Sequence, residues 1–304
     1  MSTLTPTRKS DPRAARAIRK DRIDSDRVPT STKVITRAVM IGAALYFLFP
    51  VWWLLVSSSK PKPDLYSTSG LWFSDNFQLF DNLSRAMTYG EGHYLRWIGN
   101  SILYSGVAAI LGTLVSVAAG YALSKFVFRG KNVVTIFILG GLLIPAALLT
   151  IPLYFVFNSL GIVNTVWAVI IPSIVSPFGV FLGRIYADSS VPDELIEAAR
   201  VDGASEVRTF FTIVLRILSP ALVTIALFIF VATWNNFLLP LVMLNNSELF
   251  PVTLGLYTWQ SYRAVDLTDI VLVGSLFAVL PLVVTFLGLQ RFWRSGLAMG
   301  AVKG

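Results

Sequence analysis

Long stretches without any charged residue constrain this chain more than any other feature of its sequence. Three of them run from 132 to 183, from 217 to 247 and from 270 to 290. Of all 304 residues, 55% are hydrophobic and only 14% are charged, far from the composition of a soluble domain of this size. We therefore expect a lipid bilayer to be the solvent of most of the chain.

Six apolar segments are long enough to cross a membrane, since a hydrocarbon core of about 30 Å needs roughly 20 helical residues. They run from Ala38 to Val56, Ser101 to Leu123, Val133 to Phe157, Val163 to Tyr186, Ile217 to Leu239 and Ile270 to Leu289. Asn158, Gly161 and Asn164 predict a tight hairpin between the third and fourth. The sequence therefore predicts an all-α integral membrane protein with six transmembrane helices.

The distribution of basic residues predicts the orientation, because lysine and arginine are retained on the cytoplasmic side. Nineteen of the 25 lie in the N-terminal tail, after spans two and four, or at the C-terminus. Both termini are therefore predicted to be cytoplasmic. The predicted organisation is a basic disordered tail (1–37), a first transmembrane helix (38–56), an extracytoplasmic segment (57–97), a core (98–292) and a cytoplasmic C-terminal tail (293–304).

Local residue patterns give three further expectations. Aromatic residues mixed with charges in 57–97 favour an amphipathic helix along the outer surface. Small residues recur every four positions in span two and predict a face for close helix packing: Ala108, Gly112, Ser116 and Gly120. Prolines in spans three and four predict kinks: Pro145, Pro152, Pro172 and Pro177.

The chemistry that the chain lacks narrows its function. The span interiors hold no ionisable group for a coupling ion, and Arg216 at the start of span five can reach the cytoplasmic interface, so proton-driven transport is disfavoured. The stretch Gly130-Lys131-Asn132 lacks the rest of a phosphate-binding loop, and there is no cysteine. We expect no catalytic residue, metal site or nucleic-acid partner, so a partner protein must supply energy for active transport.

A short helix is predicted between spans four and five. Pro192 suits its first position, and Asp193 and Glu194 suit the positive end of its dipole. Gly203 can adopt the left-handed conformation that ends a helix, and Ser205 can cap a following helix that leads directly into span five. A rod of about 16 Å would then connect the cytoplasm to a membrane helix.

Motifs in and after this loop resemble those of binding-protein-dependent ABC importer permeases. Glu197-Ala198-Ala199, Gly203, Ile213 and Leu215 match the E-A-A…G…I-x-L signature of their coupling helix. Further matches are Asp202-Gly203-Ala204, Trp234-Asn235-Asn236-Phe237 and the C-terminal stretch from Gly296 to Gly304. From about residue 38 the chain resembles the second permease subunit of maltose-type carbohydrate importers. It departs at Arg216, where the family usually has proline, and Pro220 is a candidate substitute.

This resemblance implies a type I ABC importer permease fold in the bacterial cytoplasmic (inner) membrane. It implies a non-catalytic subunit that works with a second homologous permease, two ATPase subunits that bind ATP and Mg, an extracellular solute-binding lipoprotein and membrane lipid. The implied cargo is a di- or oligosaccharide, and this chain itself would hold no cofactor. Two alternatives remain open: import of glycerol phosphate or a related solute, and a self-sufficient secondary carrier or channel.

The resemblance also implies roles for particular residues. Within a coupling helix at 192–203, the ATPase contacts would be Glu197, Ala198, Ala199, Asp202, Gly203, Ala204 and Ser205. The C-terminal tail would contact the ATPase, unless it is only a frayed end, through Gly296, Leu297, Gly300, Lys303 and Gly304. Candidates for the substrate pathway, which helix packing explains nearly as well, are Tyr154, Asn158, Trp234, Asn235 and Asn236. An outer loop would approach the binding protein, or anchor at the interface, through Tyr257, Trp259, Gln260 and Tyr262.

Overall fold

A computed structural model describes residues 30–262 and 264–300, and every regular element in them is helical. The elements are α1 (Thr30–Ser58), α2 (Asp64–Ser67), α3 (Leu79–Thr88), α4 (His93–Lys125), α5 (Lys131–Leu143), α6 (Ala146–Ser159), α7 (Trp167–Ile174), α8 (Pro177–Ser190), α9 (Asp193–Val201), α10 (Glu206–Thr209), a π-helix (Phe210–Val214), α11 (Leu215–Ile217), α12 (Ser219–Trp234), α13 (Leu238–Met243), a 3₁₀ turn (Ser247–Leu249), α14 (Val252–Gln260) and α15 (Thr268–Gly300). The chain divides into two compact units, one up to Trp53 and one from Leu54 onward.

The described part of the first unit is a single apolar helix, the segment of α1 from Thr30 to Trp53. Its large side chains are exposed, among them Tyr46 and Phe47, as expected of a helix whose solvent is lipid. The helix starts before the predicted position Ala38, so the end of the predicted disordered tail is helical. Residues 1–29 lie outside the described residues.

Within the described residues, four helices are long and apolar enough to cross a membrane, and six spans result if each of two bent helix pairs counts as one. The first pair, α5 and α6, bends by 107° at Pro145, whose ring and missing N–H disfavour a continuous helix. The second pair, α10–α11 and α12, bends by 84°. The predicted all-helical fold is confirmed, and the count of six crossings stays a prediction.

The predicted hairpin between spans three and four is confirmed. Gly161 and Asn164 have positive φ angles of 70° and 60°, which glycine and asparagine tolerate best. The Asn164 side-chain oxygen accepts hydrogen bonds from the backbone N–H groups of Asn245 and Asn246, both at 3.0 Å. The hairpin is therefore fixed to the segment that follows α13.

The small-residue face of span two packs closely, as predicted. A β-carbon on Gly112 would lie 2.9 Å from the carbonyl oxygen of Ile174, and one on Gly120 would lie 2.4 Å from the backbone nitrogen of Arg184. Real β-carbons essentially never approach so closely. The absence of side chains at these positions therefore lets α4 meet α7 and α8 backbone to backbone.

An aromatic cluster and a few polar contacts stabilise the end of the second unit at which α4 begins. The rings of Trp97 and Trp259 lie 4.8 Å apart, and the Tyr94 hydroxyl donates to the carbonyl oxygen of Gly274 at 2.7 Å. The predicted amphipathic helix is present as α3, which buries Ala86 and exposes Phe80. These contacts join α3, α4, α14 and α15 into one cluster, called the outer core after the side of the membrane predicted for it.

Span five is interrupted, unlike the continuous helix predicted from Ile217 to Leu239. It begins as α12 after the bend at Leu218, and residues 235–237 are not helical. The Asn236 side-chain oxygen accepts a hydrogen bond from the N–H of Leu239, in the first turn of α13, at 3.3 Å. A competing side-chain acceptor therefore replaces one backbone bond of the expected helix.

Candidate functional site

The helix predicted between spans four and five is present as α9, and it is shorter than the predicted range 192–203. Pro192 has extended backbone angles (φ −66°, ψ 140°) and precedes the helix instead of forming its first turn. Asp193 and Glu194 lie in that first turn, where their carboxylates face the positive end of the helix dipole.

The predicted end of α9 is confirmed. Gly203 has a φ of +76°, and backbone N–H groups of Asp202 and Ala204 donate to the carbonyl oxygens of Ala198 and Ala199, both at 2.9 Å. These bonds satisfy carbonyl groups that a helix end otherwise leaves free. The Ser205 hydroxyl then accepts from Arg208 N–H at 3.3 Å and caps α10, as predicted.

One face of α9 is anchored and the other is open. Ile196 and Ala199 are buried, at 4% and 5% exposure, and Ile196 belongs to the same core cluster as Tyr121 and Phe210. Glu197, Ala198 and Val201 are exposed, Val201 to 88%. A helix with a fixed inner face and an accessible outer face can receive a partner protein and pass its movement inward.

Ion pairs lie at both ends of α9. Lys125 Nζ lies 2.8 Å from Asp193 Oδ1, and the Lys125 side chain is only 10% exposed. Arg200 Nε lies 2.7 Å from Glu206 Oε1, and this hydrogen bond raises the pKa of the Arg200 guanidinium above its ordinary value. The Lys125 contact was missed from the sequence, where the only signal is a basic residue ending an apolar helix.

The connection from α9 to span five is not direct, contrary to the prediction. After α10 the backbone changes to a π-helix, then to α11, and then bends by 84° at Leu218 before α12 begins. Arg216 is exposed and occupies the position where the resembling family has proline. Pro220 lies in the first turn of α12, so the bend exists without the motif proline.

The predicted pathway residues differ in their exposure. Trp234 is buried, at 2% exposure, and stacks on Phe230 at 5.8 Å, so its side chain is not at a surface of this chain. Asn235 is exposed and Asn236 is half-buried. On α6, Tyr154 is half-buried and packs against the core that includes α13, while Asn158 is exposed.

The predicted outer-loop residues are also divided. Trp259 is buried, at 6% exposure, among Tyr89, Tyr94 and Trp97. In contrast, Gln260, Tyr257 and Tyr262 are exposed. The Tyr257 ring also meets Phe237 edge-on at 4.8 Å, which joins the outer loop to the break in span five.

The structure describes only some of the residues predicted to form the C-terminal contact with the ATPase. Gly296, Leu297 and Gly300 belong to α15, and Lys303 and Gly304 lie outside the described residues. Among residues 30–262 and 264–300, no group of three or more His, Asp or Glu side chains could hold a metal ion.

Comparisons with known proteins place this geometry in context. Residues 112–294 match the family model described as binding-protein-dependent transport system inner membrane component. The arabinooligosaccharides transport system permease protein of Halalkalibacterium halodurans is 37% identical over 86% of this chain and 93% of its own length. The trehalose/maltose transport system permease protein of Thermococcus litoralis is 30% identical over 88% of this chain and 96% of its own length. A chain of a bacterial ABC transporter that imports alginate superposes with a TM-score of 0.76 at 20% identity, over 88% of this chain and 99% of that chain.

Proposed function

This chain belongs to the binding-protein-dependent transport system inner membrane component family, and from this premise we propose that it is the permease subunit of an ATP-driven carbohydrate importer. As a family member it is a multi-pass protein of the bacterial inner membrane. The observation that carries the proposal is α9, which matches the E-A-A signature, packs by Ile196 and Ala199, and leaves its other face open.

We propose that the open face of α9 docks in a cleft of an ATPase subunit. Ala198 carries only a methyl group, so a partner can approach the backbone closely, while Glu197 and Asp202 offer charged contacts at the rim. Ala199 acts from the inner face, and Gly203, Ala204 and Ser205 form the turn that sets the direction of α10. In this arrangement the ATPase subunit binds the nucleotide, and α9 receives its movement.

The proposed cargo is a neutral di- or oligosaccharide. The similar proteins from H. halodurans and T. litoralis are named for arabinooligosaccharides and for trehalose and maltose. An anionic solute such as glycerol phosphate favours basic groups inside the membrane, and the charge-free stretches of this chain offer none. Glycerol phosphate import is the second candidate, in which the other permease would supply the basic groups.

The break in span five supports a pathway near Asn235 and Asn236. Backbone groups that leave a helix at membrane depth are tolerated where they are buried in protein or line a water-filled cavity, not where they face lipid. The exposed Asn235 amide donates to the carbonyl oxygen of Val231 at 3.0 Å, and its polar surface still suits a water-lined path better than lipid. We place Asn235 and Asn236 beside the sugar path with Tyr154 and Asn158, and give the buried Trp234 the role of holding the break in position.

The remaining partners follow from the same family membership. The complex would contain a second homologous permease, two ATPase subunits with their ATP and Mg, and an extracellular solute-binding lipoprotein. Tyr257, Gln260 and Tyr262 are exposed for contact with the binding protein, whereas Trp259 anchors the loop that carries them. Both termini would be cytoplasmic, with the tail that includes Gly296, Leu297, Gly300, Lys303 and Gly304 near the ATPases.

Reconstitution of the complete transporter in liposomes tests this function. We expect ATP-dependent uptake of radiolabelled arabinotriose or maltotriose that requires the binding protein. Uptake of glycerol 3-phosphate in its place would support the second candidate. Solute flux through this chain alone, without ATPase subunits, would identify a self-sufficient carrier and overturn the proposal.

A further inference from the structure

The N-terminal end of α9 is tied to span two by a lysine whose side chain is mostly buried. Lys125 is the last residue of α4, and its ammonium group contacts Asp193 in the first turn of α9 at 2.8 Å. The Lys125 side chain is 10% exposed, whereas the Asp193 side chain is 73% exposed. Exposed ion pairs contribute little to stability, so the effect expected of this pair lies in where it joins the two helices and not in the free energy of unfolding.

Further polar contacts reinforce the same junction. Ser124 Oγ donates to Asp188 Oδ1 on α8 at 2.5 Å. Lys131 Nζ donates to the carbonyl oxygens of Ser124 and Phe126 at 3.3 and 3.1 Å, where a cation is favoured by the negative end of the α4 dipole. The cytoplasmic end of α4 is therefore fixed to both α8 and α9.

Above this junction, α4 and α8 have no room to slide past each other. A β-carbon on Gly183 would lie 3.0 Å from the carbonyl oxygen of Ser116, and one on Gly179 would lie 2.6 Å from the hydroxyl oxygen of Ser116. Val191, which joins α8 to the α9 segment, is 2% exposed in the same core. Such close-packed elements move as one body, because packed interiors deform little.

The C-terminal end of α9 is connected differently. The path to α12 passes through Gly203, the π-helix and the 84° bend at Leu218. Interruptions of regular hydrogen bonding are the places where helices bend. Movement at this end of α9 can therefore be absorbed before it reaches span five.

We infer that Lys125 is a positioning residue that ties α9 to span two, so that displacement of α9 enters the membrane through the α4–α8 pair. Span five then pivots at Leu218 instead of being pushed directly. This inference rests on the proposed docking of an ATPase at α9, and it adds a residue and a route to that function.

Charge changes at the Lys125–Asp193 ion pair, which is called the tether from here on, test this inference in the reconstituted complete transporter. We expect Lys125→Glu to lower the amount of arabinotriose taken up per ATP hydrolysed about fivefold or more, with the ATPase subunits still copurifying. Its effect is expected on maximal uptake and not on the concentration of sugar-loaded binding protein that gives half-maximal uptake. The double variant Lys125→Glu/Asp193→Lys should restore most of the uptake. Reversal of an ion pair on the outer loops, Lys62→Glu/Asp266→Lys, is the matched control and should leave the ratio unchanged.

Distances between spin labels test the route without a sugar substrate. Because the natural chain has no cysteine, labels can be placed at Glu194 on α9, at Ile110 on α4 and at Phe228 on α12. Between the nucleotide-free transporter and the transporter trapped with MgATP and vanadate, the 194–110 distance should stay constant and the 194–228 distance should change. This measurement stays decisive if Lys125→Glu fails to fold.

The outcomes separate the two proposals. A wild-type chain that never associates with ATPase subunits would refute the proposed function. A functional wild-type transporter in which Lys125→Glu couples normally, or in which the exchange restores nothing, would refute the tether alone. A constant 194–228 distance with a changing 194–110 distance would show that span five, and not span two, follows α9.

Discussion

Gly120 and Gly183 meet so closely that a β-carbon on Gly120 would lie 2.6 Å from the carbonyl carbon of Gly183. The contact joins the C-terminal half of α4 to the middle of α8. Since backbone atoms surround this point, no flexible side chain can move aside to admit a larger residue.

Gly120→Ala is therefore expected to destabilise the protein by about 1–3 kcal/mol through overpacking, despite the better helix propensity of alanine. Thermal unfolding in detergent measures the change. Gly106→Ala on the same helix is the control, because no atom of another segment lies within 4 Å of its added β-carbon. Equal stability of the two variants would contradict the close packing.

Arg85 and Asp269 form an ion pair in which the Asp269 side chain is fully buried. Arg85→Met should cost about 3–5 kcal/mol, since it leaves an unpaired charge in the outer core. The double variant Arg85→Met/Asp269→Leu should recover much of this loss in the same unfolding assay. Arg96→Met provides the comparison, because its pair with Glu248 is exposed on both sides and should contribute about 0–1 kcal/mol.

Glu197 lies on the open face of α9, so Glu197→Lys should uncouple ATP hydrolysis from uptake without changing membrane insertion. We expect a coupling loss of about fivefold or more in proteoliposomes that contain the complete transporter. Glu91→Lys, an exposed change outside α9, should behave like the wild type. Normal coupling in the Glu197 variant would argue strongly against docking at α9.

Asp266 provides a pH prediction on the outer loops. Hydrogen bonds from the Thr268 hydroxyl and backbone N–H, together with Lys62, lower the pKa of the Asp266 carboxyl. A pKa that is lower in the folded than in the unfolded state adds stability above the unfolded pKa, and this stability is lost as the pH falls through the folded pKa.

Thr268→Val removes the hydroxyl donor and should bring the Asp266 pKa closer to its ordinary value. The acid-side loss of thermal stability should therefore be smaller in this variant than in the wild type, and smaller again in Asp266→Asn. Unfolding midpoints measured across the acidic range provide the test. If the unfolding midpoint changed equally with pH in all three proteins, Asp266 would not contribute to the pH dependence of stability.

Several features of the site were predictable because they depend on neighbouring residues. The left-handed conformation at Gly203 and the cap at Ser205 follow from local backbone chemistry. The hairpin at Gly161 and Asn164 follows in the same way. In contrast, the position of Pro192 before the helix depends on one ψ angle, a boundary detail that residue patterns define poorly.

The division of similar residues into buried and exposed was not predictable. Trp259 and Tyr257 lie two positions apart on α14, yet Trp259 packs in the outer core and Tyr257 is 50% exposed. Both residue types suit an interface or a sugar equally well. Their difference comes from the neighbours that α4 supplies, which are distant in the sequence.

The sequence by itself determined that this protein lies in a membrane and where its apolar helices are located. It also determined that one face of span two consists of small residues, and which residues signal the start and end of α9. These follow from desolvation of charge, helix geometry and backbone freedom, which act over a few residues. Only the tertiary structure decided that Lys125 meets Asp193, that span five bends at Leu218, and which side of α9 stays open. Such relations depend on packing between segments far apart in the chain, where many arrangements satisfy the same local preferences.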